Sequence, residues 1–561
     1  MSKVMTSNKF NEAKKASQFF LNAMLMTDGY KLAHKNFYAK GMTKLYSSFI
    51  PRSNRHFVEA ENGVTVFGIQ YFIKKILIDG FNANFFSLPK ETVVESYRHL
   101  LVSFVGKEMA DLIGTEHIER LHDLGYLPLE IKALKEGTMC PIGVPVMTLT
   151  TTHKDFAWIA EYLETIISNE LWLPMTSATT SDLFMRELVR HAKKTGFYNP
   201  SDESNLKFLC HDFSMRGMQG IDSTIQSGMG HLASFNGTES IPAIEAIEYY
   251  YPPKNPTVVA GTVPATEHSV MCSNIMELID EIKNGSYSSE VFEYVGGIVN
   301  MNDMDENTMM GIAEYILIKR LITEIIPNGF VSIVCDSFDF WRVMTIIIPK
   351  LHDVIMKRNG RVVVRPDSGD PVKIICGDQE ASTVWERKGA YELLFDTFGG
   401  HINEYGYKVL DTHIGIIYGD SINLSRQKKI YAQLEDKGFT GENLVLGIGS
   451  YTFCLRSRDS LGFAMKANWC EVNGKGIEIY KDPKTVCGMP KKSLRGLIRV
   501  DWVDPNNPTK GIRAYDRQSK EEESVGFLKT VFKNGKLLIE YGIDEIRENL
   551  NNSRSGKLCY E

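Results

Sequence analysis

The 561-residue chain contains no Cys-x-x-Cys pair, and its nine cysteines (140, 210, 272, 335, 376, 454, 470, 487, 559) are odd in number and scattered. That spacing argues against a zinc ribbon and a disulfide framework, and it favours a reducing cytosol. No apolar run is long enough to cross a bilayer. Met1 to Ser17 is polar and basic, without the apolar core of a secretory leader. A formal charge of -6 is small for this length and argues against a general nucleic-acid or membrane-surface binder. There is no G-x-x-x-x-G-K-[ST] phosphate loop, and Gly447-Ile448-Gly449 falls far short of a dinucleotide fingerprint.

What is present is the composition of a soluble enzyme, 43% hydrophobic and 24% charged, in a chain too long for one core. Val362 to Val364 reads as a strand buried on both faces that stops at Arg365-Pro366-Asp367-Ser368-Gly369. The same grammar recurs. Phe208 to Cys210 leads into His211-Asp212-Phe213, and Thr257 to Val263 into Pro264-Ala265-Thr266-Glu267-His268. Val331 to Val334 leads into Cys335-Asp336-Ser337, Ile414 to Ile417 into Tyr418-Gly419-Asp420, and Leu444 to Leu446 into Gly447-Ile448-Gly449-Ser450. Helical patterns lie between the later runs and close at Asn359-Gly360, Gly399-Gly400 and Gly438. Strand, polar turn and helix in repetition predict a parallel β/α architecture, with six units favouring a barrel over an open sheet.

The flanks differ. Ile69, Phe72, Ile73, Ile76 and Leu77 predict a helix ending at Asp79-Gly80, and Trp158 to Ile167 one face of a helix from about Asp155 to Leu171. Asn473-Gly474 and Asn534-Gly535 are type I′ hairpin signals between short strand-like runs. The expected division is therefore 1–180 and 466–561 as the two parts of one α+β domain, the second part antiparallel. Residues 181–465 form the barrel-like catalytic domain. Residues 281–330 break the rhythm and read as an inserted lobe, a lid or a surface loop.

The strand ends collect Arg216, His268, Asp336, Arg365, Asp367, Asp420, Gly419, Gly449 and Ser450. Arginines clamp phosphate oxygens, small turns offer backbone N–H groups to anions, and carboxylates hold Mg²⁺ or ribose hydroxyls. That mixture suits a sugar-phosphate ligand with a divalent metal. Asp336 and Asp420 each read equally as caps of the following helix. A lone histidine such as His268 is more often a structural hydrogen-bond partner than a catalytic one.

These segments resemble nicotinamide phosphoribosyltransferase. The likeness runs through Asp28-Gly29-Tyr30-Lys31, His211-Asp212-Phe213 with Arg216-Gly217, and Glu267-His268-Ser269. It continues through Asp336-Ser337, Arg365-Pro366-Asp367-Ser368-Gly369, Gly419-Asp420, Thr530 to Lys536 and Asp544-Glu545-Ile546-Arg547. The resemblance implies a type II phosphoribosyltransferase: an incomplete β/α barrel plus an α+β domain made from both chain ends. It further implies transfer of a phosphoribosyl group from phosphoribosyl pyrophosphate to nicotinamide, with Mg²⁺, in a homodimer whose active sites lie at the interface.

By position, Phe213 and Tyr30 of the partner subunit would sandwich the pyridine ring, and Arg216 and Arg365 would face pyrophosphate. Asp367, Gly419 and Asp420, with Pro366 fixing the spacing, would serve ribose and metal, and Asp336 and Ser332 join the site. Asp336 and Asp367 are the metal candidates, through the phosphates. Gly449, Ser450 and Arg458 would hold the 5′-phosphate, with Arg52, Lys466 and Lys481 adding charge at the interface. His268 would be the phosphorylated histidine that couples ATP to turnover.

Three departures stand out. Glu239 occupies the place of an Asp that accepts the amide N–H. The Gly-rich turn is thinned to Gly447-Ile448-Gly449-Ser450-Tyr451. The stretch between His268 and Asp336 is long. The rival readings are nicotinate phosphoribosyltransferase, a binding protein that retains the fold, and a generic phosphate-binding barrel enzyme. A type I phosphoribosyltransferase is disfavoured, since no apolar run ends in paired acids and a Thr-Gly turn.

Overall fold

A computed structural model describes residues 21–200, 202–300, 304–419, 421–481, 493–557 and 560. The chain divides into two compact units. One gathers Met1–Thr179, Ala246–Thr257 and Arg456–Glu561, the other Thr180–Glu245 and Val258–Leu455.

The second unit is built on six parallel strands: β1 (Cys210–Asp212), β2 (Gly237–Thr238), β3 (Val331–Val334), β4 (Val362–Arg365), β5 (Ile414–Tyr418) and β6 (Leu444–Ile448). Their order in the sheet is β2-β1-β6-β5-β4-β3, with every pairing parallel. The apolar runs are what the interior demands: Val331, Ile333, Val362, Val364, Ile414, Ile416, Leu444 and Leu446 are all buried. Each such side chain contributes about 1.5–3 kcal/mol relative to exposure.

Both edges of the sheet are met by one segment. Gly261 bridges Gly237 beside β2, and Ala265 bridges Ser332 in β3. The bonds are Gly261 N–H to Asn236 O at 2.8 Å, Ser332 N–H to Pro264 O at 2.8 Å and Thr266 N–H to Ser332 O at 2.9 Å. The barrel is thus closed by single bridges where a regular strand is missing. Thr257 to Val263, expected as a strand, forms none and pairs with β2 only through the isolated bridge at Gly261, and the sixth strand is the two-residue β2. The expected inserted lobe also needs correction. Within 281–330, Met301 to Asp303 lie outside the described residues. Helix Glu306–Arg320, however, is buried at Met309 and from Gly311 to Ile318. It packs on helix His268–Lys283 and leads into β3, so it belongs to the barrel's own helical layer.

The first unit carries a seven-stranded sheet in which both ends of the chain meet. Met42–Ile50 pairs antiparallel with Ala464–Val472 on one side and Met147–Thr151 on the other, while Lys529–Lys533 pairs with Leu129–Ala133. The two hairpin turns form as the dipeptides require. Asn473 and Gly474 have φ of 50° and 77°, and Asn534 and Gly535 have 47° and 79°. Two helices outrun their expected ends: helical backbone continues past Gly80 to Phe86, and the helix expected to stop at Leu171 runs from Glu164 to Thr195 with Pro174 inside it. Among the described residues no helix is long and apolar enough to cross a membrane.

Candidate active site

The functional side chains of the barrel unit lie where the parallel strands end, as open and closed α/β sheets require. β3 and β4 run in register, with Val334 opposite Arg365. That register brings the turn after β3 beside the turn after β4. The Asp367 N–H donates to Asp336 Oδ2 at 2.9 Å, and the Ser368 hydroxyl donates to the same oxygen at 2.6 Å. Asp336 Oδ1 faces His268 Nε2 at 3.2 Å. The Asp336 side chain is only 3% exposed, whereas the His268 ring, at the start of its helix, is 50% exposed. Asp336 can only accept in this pair, so Nε2 is the donating nitrogen. The capping alternatives fall to neighbours: Asp339 caps the helix after β3, and Asn423 the helix after β5. Asp420 itself lies outside the described residues.

Arg365 and Asp367 form a two-pronged pair, Nε to Oδ1 at 3.1 Å and Nη2 to Oδ2 at 3.2 Å. The guanidinium also lies 5.2 Å from the centre of the Phe213 ring, a cation–π contact. Two glycines make this packing possible. A Cβ at Gly419 would collide with Asp367 Oδ1, and one at Gly447 with the Phe213 ring. Pro366 is buried, and its carbonyl accepts from the Gly419 N–H. The Tyr418 hydroxyl reaches the carbonyls of Ser368 and Gly369, both at 2.9 Å, and braces the turn.

Phe213 follows β1, and its N–H donates to Ile448 O at 2.9 Å. Asp212 is buried and steadies the turn by accepting the Ser214 N–H at 2.9 Å. Burial, reinforced by His231, pushes the neighbouring His211 down to about 4, so this imidazole is neutral near pH 7. Glu239, after β2, takes the Thr262 hydroxyl on Oε1. Ser332 is buried within β3, and its hydroxyl has no hydrogen-bond partner among the described residues. Arg216 is exposed in a single helical turn, Met215–Gly217. Gly449 precedes the five-residue helix Ser450–Cys454, and the Ser450 hydroxyl fills the place that a Cβ on Gly217 would occupy.

The remaining expected residues belong to the first unit. Tyr30 is 63% exposed beside a buried Lys31, which donates to Glu161 O at 2.7 Å and pairs with Glu164. Lys466 pairs with the other oxygen of Glu164 at 3.3 Å. Burial raises Glu164, but Lys31 and Lys466 outweigh it and hold the carboxyl below its usual range. Arg52 donates to Gly462 O at 3.0 Å, and Arg458 pairs with Asp459 at 3.3 Å. Lys481 is exposed, its N–H on the Ser493 hydroxyl.

The carboxylates do not form a metal cage. Asp336 is occupied by Asp367, Ser368 and His268, and Asp367 by Arg365. No cluster of three ligating side chains occurs among the described residues. Ser368, Tyr418 and Gly447 stand in the strand-end motifs of the sequence without a role of their own there, and Thr262 carried no local signal.

Comparison with known proteins shows the family. Residues 208–536 match the nicotinate phosphoribosyltransferase (NAPRTase) family, and residues 22–131 match the nicotinamide phosphoribosyltransferase N-terminal domain. The nicotinamide phosphoribosyltransferase of Acinetobacter baylyi is 42% identical over 95% of this chain and 97% of its own length. That of Mycoplasma pneumoniae is 29% identical over 83% of this chain and 93% of its own. The crystal structure of human nicotinic acid phosphoribosyltransferase has a TM-score of 0.53 at 14% identity, covering 94% of each chain, a likeness of fold. The fold is that of the type II phosphoribosyltransferases, and with a near full-length relative of this identity the chain belongs to the nicotinamide phosphoribosyltransferase family.

Proposed function

We propose that the protein transfers the 5-phosphoribosyl group of phosphoribosyl pyrophosphate to the ring nitrogen of nicotinamide, giving nicotinamide mononucleotide and pyrophosphate in NAD salvage. The observation that carries the reading is the connected set Phe213, Arg365, Asp367, Asp336 and His268 on one rim of the barrel. Phe213 and the partner subunit's Tyr30 hold the pyridine flat, in line with the sugar carbon. The ring nitrogen's lone pair forms the bond to C1′ as the C1′–O bond to pyrophosphate breaks. The departing electron pair stays on pyrophosphate, where Arg365 and Arg216 meet the growing charge. Asp367, released in part from Arg365, takes the ribose hydroxyls. Gly449, Ser450 and Arg458 serve the 5′-phosphate, with Arg52, Lys466 and Lys481 beside the phosphates of a dimeric site.

His268 is the ATP-linked group. Its Nδ1 lone pair takes a phosphoryl group from ATP, ADP leaves with the bonding electrons, and Asp336 holds the Nε2 hydrogen. The scattered, odd-numbered cysteines of the sequence favour work in a reducing cytosol. Truncating Phe213 to Ala tests the ring site. Nicotinamide KM should rise at least about tenfold while the KM for phosphoribosyl pyrophosphate holds. Equal loss on both substrates would count against this role.

A further inference from the structure

Three chain segments meet at one point of the barrel rim. β1 and β2 are parallel neighbours with Asp212 opposite Thr238, and the Glu239 N–H donates to Asp212 O at 2.9 Å. Glu239 therefore follows β2 just as Phe213 follows β1, one strand spacing of about 4.8 Å away. Phe213 and Glu239 thus leave neighbouring strand ends on the same rim. From the other side comes the closing segment. The Thr238 N–H donates to Gly261 O at 3.3 Å, and Gly261 bridges Gly237. That pairing sets the next residue, Thr262, beside Glu239, and its hydroxyl donates to Oε1.

Glu has one more rotatable bond than Asp, and the Glu239 side chain lies at an exposed position. Unheld, its carboxylate would spread over several rotamers and lose direction. Threonine is suited to hold it, because χ1 of a β-branched residue is stiff and the hydroxyl has a single hydrogen to give. With Oε1 held, the carboxylate plane is fixed and Oε2 keeps acceptor capacity. We infer that Thr262 is a positioning residue for substrate choice. It fixes Glu239 so that one carboxylate oxygen accepts the carboxamide N–H of the ring substrate and opposes a ring carrying a carboxylate. The inference rests on the function proposed above and names a residue that sets its selectivity.

Release of Glu239 weakens both the attraction and the repulsion, so selectivity falls from both sides. The test compares wild type, Thr262→Val, Thr262→Ala and Thr262→Ser with nicotinamide and nicotinate, reading kcat and KM separately. Thr262→Val, nearly the same in shape, should raise nicotinamide KM about tenfold with kcat within about twofold. It should also shift the nicotinamide-to-nicotinate ratio of kcat/KM by about tenfold or more, with Thr262→Ala alike and Thr262→Ser within about threefold of wild type. In a Glu239→Ala background, Thr262→Val should add no further change. Wild-type selectivity in Thr262→Val and Thr262→Ala, or an undiminished effect in the Glu239→Ala background, would overturn the inference while leaving the proposed function standing. A wild-type enzyme that consumes nicotinate and ignores nicotinamide would overturn that function and the inference with it.

Discussion

Asp336 is the residue on which the rim depends. A nearly buried carboxylate accepts from a backbone N–H and a hydroxyl of the turn after β4, and from an imidazole at the start of helix His268–Lys283. An amide keeps the shape but gives up one acceptor, so Asp336→Asn should lower kcat about a hundredfold or more and remove the ATP response as well. His268→Ala should be milder in one respect: basal transfer persists while stimulation by ATP disappears. Product formation with and without ATP separates the two, and an unchanged ATP response in His268→Ala would remove the histidine from its assigned role. Gly419 makes a steric prediction. A methyl group there collides with Asp367, so Gly419→Ala should part the Arg365–Asp367 pair and cost about a hundredfold in kcat while the protein stays folded. Full activity in that variant would show that the pair does not matter.

Among the elements, the end of helix Glu164–Thr195 and helix Leu424–Asp436 are joined by one carboxylate. Glu435 accepts from Arg190 at 2.8 Å, His191 at 2.8 Å and Lys194 at 2.6 Å. Burial alone would raise this carboxyl, but the three donors outweigh it and pull it from 4.5 to about 2. Burial likewise pushes His191 down to about 4, so it is a neutral donor near pH 7. With a depressed folded-state value, the unfolded chain binds more protons between these limits. The contribution is complete above about pH 4.5 and is lost as the pH falls toward about 2. Arg190 and Lys194 are about half exposed, so solvent screening limits the effect. Glu435→Gln should cost roughly 1–2 kcal/mol at neutral pH. Urea unfolding of both proteins from pH 7 down to pH 3 checks this, and a gap that does not narrow in acid would contradict it.

The elements that were legible in the sequence are those written locally. Val362 to Val364 and Val331 to Val334 carry their burial in β-branched side chains, and Asn473-Gly474 and Asn534-Gly535 carry their turn geometry in two residues. β2 was not legible, because two residues hold no periodicity and its pairing is set by the strand beside it. The Thr257 to Val263 run looked like a strand, yet the closing segment meets the sheet edges through two isolated bridges, at Gly261 and Ala265. The site divides in the same way. Arg365, Asp367 and Ser368 lie in one short motif. Thr262 acquires its partner only through the Gly237–Gly261 bridge.

At the scale of the whole molecule, the first unit can form only when both chain ends are present, since Met42–Ile50 lies between Ala464–Val472 and Met147–Thr151 in one sheet. The proposed dimer adds a requirement of its own, because Phe213 and Tyr30 of a working site would come from different subunits. At nicotinamide well below its KM, Tyr30→Ala and Phe213→Ala should each lose most of the activity. Co-expressed, they should recover about a quarter of wild-type activity, as half the dimers are mixed and each mixed dimer has one intact site. No recovery would mean that each chain builds its site alone.

The most direct measurement is product analysis of the purified wild-type protein with phosphoribosyl pyrophosphate and Mg²⁺, offering nicotinamide and nicotinate separately, with and without ATP. Nicotinamide mononucleotide should form with pyrophosphate in equal amount, faster with ATP, while nicotinate is left largely unused. Nicotinate mononucleotide as the main product, with nicotinamide untouched, would contradict the central claim.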